Sequence, residues 1–322
     1  MTADRSAPAG PAATVFFGSG AFALPILDAL VGAPEVRLVG VVSAPDRAAG
    51  RHAEPTSVPV ARRALELGLP LLQPPRLRAP DSVAAIETLQ PELGVLADYG
   101  QIVPRAVLEI PPHGILNVHP SALPRHRGAT PIAATIAAGD PEAAVSLIAM
   151  DEGLDTGPIV AQERWPLDGT ETAKALEAAA ARRGAALVRR TLAGWLAGTL
   201  VAVPQPASGV TLTRPLRRDH GRLDPERSAA ELARQVRAYA PWPGTFLETE
   251  HGRLIVHEAE VVPSVIHDQP GRLVADGDGL ALTTADGRLR LRRVQLAGRR
   301  AMDAVSLRRG APGIIGRTVG LR

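Results

Sequence analysis

The first two thirds of the chain alternate short apolar runs with amphipathic stretches. Val15–Phe17, Leu38–Val42, Leu69–Leu72, Gly94–Ala97 and Ile115–Val118 are apolar runs bounded by Gly, Pro or Asp. Between them, Ala23–Leu30, Val58–Leu67, Asp81–Leu89 and Pro131–Ala138 carry apolar residues at helical spacing. Continuous apolar strands separated by helices predict a parallel sheet covered on both faces. Val145–Met150 and Pro158–Ala161 add two strands, and a long Ala- and Arg-rich helix over about Thr172–Gly198 closes the unit. The pattern then breaks at Val203-Pro-Gln-Pro-Ala-Ser-Gly209, rich in Pro and small residues and without periodicity. Beyond it one helix, Ala229–Ala238, precedes strands with period-two alternation at Thr245–Glu250, Arg253–Ala259, Gly271–Ala275, Leu280–Thr284 and Leu289–Gln295. Their turns, His251-Gly252, Asp276-Gly-Asp-Gly279 and Asp286-Gly287, have hairpin chemistry. The expected fold is α/β: a doubly wound, mostly parallel, Rossmann-like sheet, followed by a smaller C-terminal β-barrel of the oligonucleotide-binding (OB) type. The expected boundaries are a disordered tail at 1–12, an α/β domain at 13–202, a linker at 203–218 and a β domain at 219–322.

Composition narrows the class. Apolar residues make up 45% and charged residues 21% of 322, which excludes a disordered or fibrous chain. No apolar run approaches the roughly 18 residues of a membrane span, and the N-terminus has no apolar signal core. A cytoplasmic protein with no membrane partner is expected. Without a cysteine, disulfide and thiolate chemistry are excluded. The net charge of +3 is uneven: residues 1–208 hold 17 basic and 20 acidic side chains, residues 209–322 hold 19 and 13. A basic C-terminal domain points to a polyanionic partner, although Arg-rich surfaces also follow from a GC-rich coding sequence. The same codon bias accounts for a single lysine, Lys174, and a single asparagine, Asn117.

Four stretches could carry chemistry. Gly18-Ser-Gly-Ala-Phe-Ala23 follows the first strand and nearly fits a dinucleotide fingerprint, with Asp46 after the second strand as the acidic partner; a tight strand-to-helix turn needs the same glycines. In Gly114–Gly128, Asn117 and His119 alternate and so share one face of a strand end, offering a hydrogen-bond donor beside a proton acceptor. The bland reading is a turn asparagine and a solvated histidine. Met150-Asp-Glu-Gly-Leu-Asp-Thr-Gly-Pro158 is a Gly-rich acidic loop: either a tight turn capped by Asp155, or a carboxylate that orients His119. The long loop Ser43–Thr56 carries Arg47 and Arg51, which could meet phosphate or simply face solvent. No histidine spacing suits a metal, and none is expected.

Several segments together resemble one family. They are Phe17-Gly-Ser-Gly-Ala-Phe22, Pro45-Asp-Arg-Ala-Ala-Gly-Arg51, Tyr99-Gly-Gln-Ile-Val-Pro104, Asn117-Val-His-Pro-Ser121, Leu123-Pro-Arg-His-Arg-Gly-Ala-Thr-Pro-Ile132, Asp151-Glu-Gly-Leu-Asp-Thr-Gly157 and Ala240-Pro-Trp-Pro243. The chain resembles the methionyl-tRNA formyltransferases of the folate-dependent formyltransferase superfamily over almost its whole length. The resemblance implies formyl transfer from 10-formyltetrahydrofolate to the α-amino group of methionyl initiator tRNA, in translation initiation, by a monomer. It implies Asn117, His119 and Asp155 as catalytic residues. Tyr99, Gln101, Ile102 and Val103, with Ser121, Ala122, Leu123 and Pro124, would bind the folate; Phe22, Arg47 and Arg51 would meet the methionyl-tRNA. Pro120 and the His52-Ala-Glu54 segment depart from the usual family pattern. Two other readings remain open at this stage: a folate-dependent transferase acting on a nucleotide amino sugar, and a nicotinamide-dependent oxidoreductase.

Overall fold

The computed structural model describes residues 10–49, 54–263 and 268–319. In the N-terminal half the strands are β1 (Ala12–Gly18), β2 (Val36–Val42), β3 (Arg47–Ala49), β4 (Glu54–Thr56), β5 (Leu71–Leu72), β6 (Leu93–Ala97), β7 (Ile115–His119), β8 (Arg127–Gly128), β9 (Glu142–Ala149) and β10 (Ile159–Pro166). The helices are α1 (Leu24–Val31), α2 (Pro59–Glu66), α3 (Pro80–Glu87), α4 (Arg105–Leu108), α5 (Pro131–Ala138) and α6 (Ala173–Leu196). Further on lie β11 (Leu212–Thr213), α7 (Ala229–Ala238), β12 (Thr245–Thr249), β13 (Gly252–Val262), β14 (Leu273–Asp276), β15 (Gly279–Thr283), β16 (Arg288–Leu296), β17 (Met302–Asp303) and α8 (Ala304–Gly310). None of the described helices is long and apolar enough to cross a membrane.

Seven strands make one sheet in the order β10-β9-β7-β6-β1-β2-β5. β1 pairs in parallel with β2 and β6, β2 with β5, and β6 with β7, whereas β9 runs antiparallel to β7. Every residue of β1, β6 and β7 is buried, which is why their sequences read as unbroken apolar runs rather than alternations. From β1 the chain works outward through β2 to β5, then crosses back to β6 and β7 on the other side. The strand order therefore reverses between β1 and β6, and crevices at such switch points, beyond the strand carboxyl ends, are where open α/β sheets bind ligands. Helix starts are set by proline: Pro59, Pro80 and Pro131 each stand in a first turn, where the missing N–H costs nothing. The helix expected from Ala23 begins one residue later, after a 3-10 turn at Ala21–Ala23.

Two compact units divide the described residues. One takes the chain up to Gly128 with Glu142–Trp165 and Glu177–Leu212; the other takes Ala129–Pro141, Pro166–Leu176 and the chain from Thr213 on. The second unit is thus not one continuous stretch, because it includes α5, where Arg234 of α7 donates to Ala137 O at 3.3 Å. Its sheet runs β12-β13-β16-β15-β14, with β17 paired to β16. This is the separate antiparallel β domain expected, and no pairing between the end strands β12 and β14 closes it into a ring among the described residues. Leu254, Val256, Leu280, Leu282, Leu289, Leu291 and Val294 turn inward, and α7 lays Leu232 and Val236 on them. α7 opens on a capping box: Ser228 accepts from Glu231 N at 3.3 Å, and Ser228 N donates back to the Glu231 carboxylate at 3.0 Å.

Candidate active site

Strand β7 presents Asn117 and His119 on one face, two residues apart, and both are almost fully buried. Asp155 reaches them from 38 residues further along the chain. Its loop begins at an unexpected place: Ala149, the last residue of β9, lies opposite Leu116, so the loop leaves beside the amino end of β7. It returns across the sheet face to set its carboxylate between the two side chains. Asn117 Nδ2 donates to Asp155 Oδ1 at 3.1 Å, and Gly128 N donates to Oδ2 at 2.8 Å. His119 Nδ1 lies 3.6 Å from Oδ2, an ion-pair distance rather than a hydrogen bond. Asp155 holds a backbone φ of +52, a left-handed conformation that a residue with a Cβ adopts at a cost. The loop closes tightly because position 157 lacks a side chain: a Cβ there would stand 1.9 Å from Ala149 O.

The other ring nitrogen of His119 fixes the tautomer. Nε2 faces His126 O at 3.0 Å, and since a carbonyl can only accept, Nε2 carries the hydrogen. In the neutral ring the lone pair is then on Nδ1, facing Asp155. An imidazolium would meet an acceptor at both nitrogens.

The turn after β7 is anchored from within. Ser146 Oγ donates to Ser121 O at 2.7 Å, Gln162 Nε2 donates to Ser146 Oγ at 2.8 Å and to Leu123 O at 3.2 Å, and Ser121 Oγ donates to Arg125 O at 2.7 Å. Of the segment at 121–124, Ser121, Leu123 and Pro124 are buried and Ala122 is half-buried. After β6 the picture is mixed. Tyr99 is a core residue, edge-on to Phe17 at 5.7 Å, and its buried hydroxyl has no partner among the described residues; burial pushes it up to about 12. Gln101 is committed to Leu77 N (2.9 Å) and Pro74 O (3.0 Å), and Val103 is buried. Ile102 alone of this stretch points outward, 88% exposed. Phe22 is buried in the 3-10 turn after β1. Arg47 opens β3 with an undescribed side chain, and Arg51 lies outside the described residues.

The glycine-rich turn is filled by a carboxylate. Ser19 N donates to Asp98 O at 3.0 Å, and the Asp98 carboxyl lies where a Cβ of residue 20 would be, its Oδ2 1.7 Å from that position. Gly20 leaves room for the Asp98 carboxyl, and an anionic pyrophosphate approaching this turn would meet that group. That argues against the nicotinamide reading. Asp98 is an exposed residue, yet its carboxyl is crowded against this turn, and the desolvation this brings, with the charge of Glu177, raises it to about 6. Burial raises Glu177 as well.

Residue-by-residue reasoning missed Asp98, His126, Gly128 and Gln205. Gln205, in the Pro-rich stretch, accepts from Arg127 Nε and Nη2 at 3.0 and 2.7 Å and donates to Asp155 O and Gly157 O, both at 2.8 Å. A lone glutamine between prolines carries no periodic or spacing signal that would have found it.

Residues 12–192 match the formyl transferase family and residues 215–312 match the formyl transferase C-terminal domain, so fold and family define a formyl transferase. The methionyl-tRNA formyltransferase of Myxococcus xanthus is 41% identical over 303 residues, covering 93% of this chain and 96% of its own. That of Halorhodospira halophila is 44% identical over 303 residues, covering 93% and 97%. The chain belongs to the methionyl-tRNA formyltransferase family. A solved N-formyltransferase from Helicobacter canadensis, in complex with folinic acid and dTDP-3-aminofucose, shares the fold with a TM-score of 0.63 at 15% identity, over 86% of this chain and 98% of that one.

Proposed function

We propose that the chain transfers the formyl group of 10-formyltetrahydrofolate to the α-amino group of methionyl initiator tRNA, with Asn117, His119 and Asp155 as its catalytic residues. The observation that carries the reading is the convergence of these three side chains on one face of β7 in a chain of this family. The folate donor supplies a formyl carbon open to attack. The amine must lose a proton as it forms the new C–N bond, and the lone pair of neutral His119 on Nδ1 takes it, directly or through water. Asp155 then holds the imidazolium through Oδ2. Asn117 gives one N–H to Asp155 and keeps the other for the formyl oxygen as negative charge develops there. The bond between the formyl carbon and the donor's nitrogen then breaks, and the proton held on His119 passes to that nitrogen, so tetrahydrofolate leaves and the imidazole returns to its neutral form.

The exposed Ile102 and the largely apolar turn at 122–124 suit the flat ring of the folate, with polar contacts supplied by backbone, since the Gln101 amide is already committed. Phe22, Arg47 and Arg51 would meet the aminoacyl end. Arg293, Arg299, Arg300 and Arg309 are exposed and make no ion pair among the described residues, which suits contact with tRNA phosphates. The reading carries with it a monomer acting in the cytoplasm.

The test is a transfer assay offering methionyl initiator tRNA and a nucleotide amino sugar as competing acceptors. Formylation of the tRNA is expected, with affinity that falls steeply as salt rises. Formylation of the sugar alone would overturn the reading.

A further inference from the structure

A catalytic carboxylate on a loop, in a left-handed backbone conformation, stays in place only if its surroundings hold it there. The bonds from Asn117 and Gly128 hold the Asp155 carboxylate but leave its backbone free to turn. Within the loop, Asp151 Oδ1 accepts from Gly153 N at 3.0 Å and Thr156 Oγ1 at 2.7 Å, and from outside it the backbone carbonyls are held by Gln205. Its amide is saturated: Nε2 gives both hydrogens to the carbonyls of Asp155 and Gly157, and Oε1 takes two from the Arg127 guanidinium. Arg127 precedes Gly128, whose N–H meets Asp155 Oδ2. One side chain thus ties the acidic loop to the strand that supplies the carboxylate's own donor.

The stretch around Gln205 is itself fastened to this unit. Val203 exchanges backbone hydrogen bonds with Ile159 at 2.7 and 2.8 Å, and Thr211 accepts from His126 N on its hydroxyl at 2.8 Å and from Arg127 N on its carbonyl at 3.0 Å. A segment that reads as a linker therefore runs as a strap along the residues that hold His119 and Asp155. We propose that Gln205 is a positioning residue for formyl transfer, setting the Asp155 loop against β8 so that the carboxylate meets His119. The inference rests on Asp155 being catalytic.

No other side chain replaces the amide in full. Met has its length without hydrogen bonds, and Glu keeps the acceptor for Arg127 but turns an anion toward two carbonyls. The test uses the full chain, with Gln205→Met, Asp155→Asn and the double variant assayed in the steady state for kcat and KM and in single turnovers, with enzyme in excess, for the chemical step. Gln205→Met is expected to lower kcat at least tenfold, leave KM for both substrates within about threefold and keep a cooperative melt. In the Asp155→Asn background the same change is expected to lower the rate by less than twofold, because the carboxylate it positions is gone. A purely structural role would instead give the same factor in both backgrounds, and that result, or a wild-type kcat for Gln205→Met, overturns the inference. If Gln205→Met does not fold, Gln205→Glu is assayed against the same expectations. A wild-type chain without transfer activity, or Asp155→Asn with full activity, rejects the catalytic reading itself, whereas an active Gln205→Met beside an impaired Asp155→Asn rejects only the role of Gln205.

Discussion

Both units of the molecule bring acidic side chains to polar or charged partners, but most of the pairs in the second unit are far more exposed than the cluster in the first. In the α/β unit the half-buried Asp155 stands against the buried Asn117 and His119, and its oxygens are answered by an amide and a backbone N–H. In the β unit most pairs lie on the sheet surface, with Arg288–Asp268 more enclosed: Arg290 and Arg292 share Glu260, Arg290 also grips Asp276, and Arg253 meets Glu248 at 2.5 Å. The buried set is sensitive because a polar group left alone in a low dielectric costs far more than a paired one yields. The surface set is screened and partly redundant.

That contrast can be broken or sharpened at several positions. Asn117→Ala is expected to lower turnover by roughly 10²–10³, the usual cost of one preorganised donor, while the fold persists. A steady-state assay beside a melting curve checks it, and unchanged turnover removes the oxyanion role. Leu289→Ala, in the β-unit core, is expected to cost about 2–5 kcal/mol in urea unfolding, with kcat per folded molecule preserved. Asp98 gives a pH-dependent effect of intermediate size. Its carboxyl is raised to about 6 from an ordinary 3.8, so the native state holds the proton more tightly than the unfolded chain between those values. Stability from this group therefore falls as pH rises from about 4 to about 6, and its charged form is a liability above that. Because Asp98 is also exposed to solvent, which screens its charge, Asp98→Asn is expected to raise the melting temperature only slightly at pH 8 and to give no gain at pH 4; an equal shift at both values would refute the desolvation account. Least is expected of Arg292→Ala, within about 0.5 kcal/mol, because Arg290 still pairs with Glu260.

Much of the fold could be read from hydrophobic period alone. α5 and α7 stand at the predicted residues, and the wholly buried strands β1, β6 and β7 produce the unbroken apolar runs that reveal a parallel sheet. The antiparallel placement of β9 left no such mark, since a buried strand reads the same in either direction. Asn117 and His119 were legible because two residues along one strand share a face. The approach of Asp155 was not, because it depends on a loop that leaves the far end of the neighbouring strand and folds back. Gln205 and Asp98 belong to the same class: their partners are set by tertiary closure, and a single sequence encodes closure only through what the whole chain packs.

The burial of Asn117 also bears on how long the molecule can last. Slow covalent ageing of proteins falls mainly on asparagine, glutamine, cysteine and methionine. This chain has no cysteine and one asparagine, and that amide is locked inside an extended strand, where the following peptide nitrogen of Val118 is poorly placed to cyclise onto it. The amide proposed to meet the formyl oxygen is thus sheltered by the packing that orients it, and loss of activity on storage should follow unfolding or oxidation of methionines such as Met150 and Met302 instead.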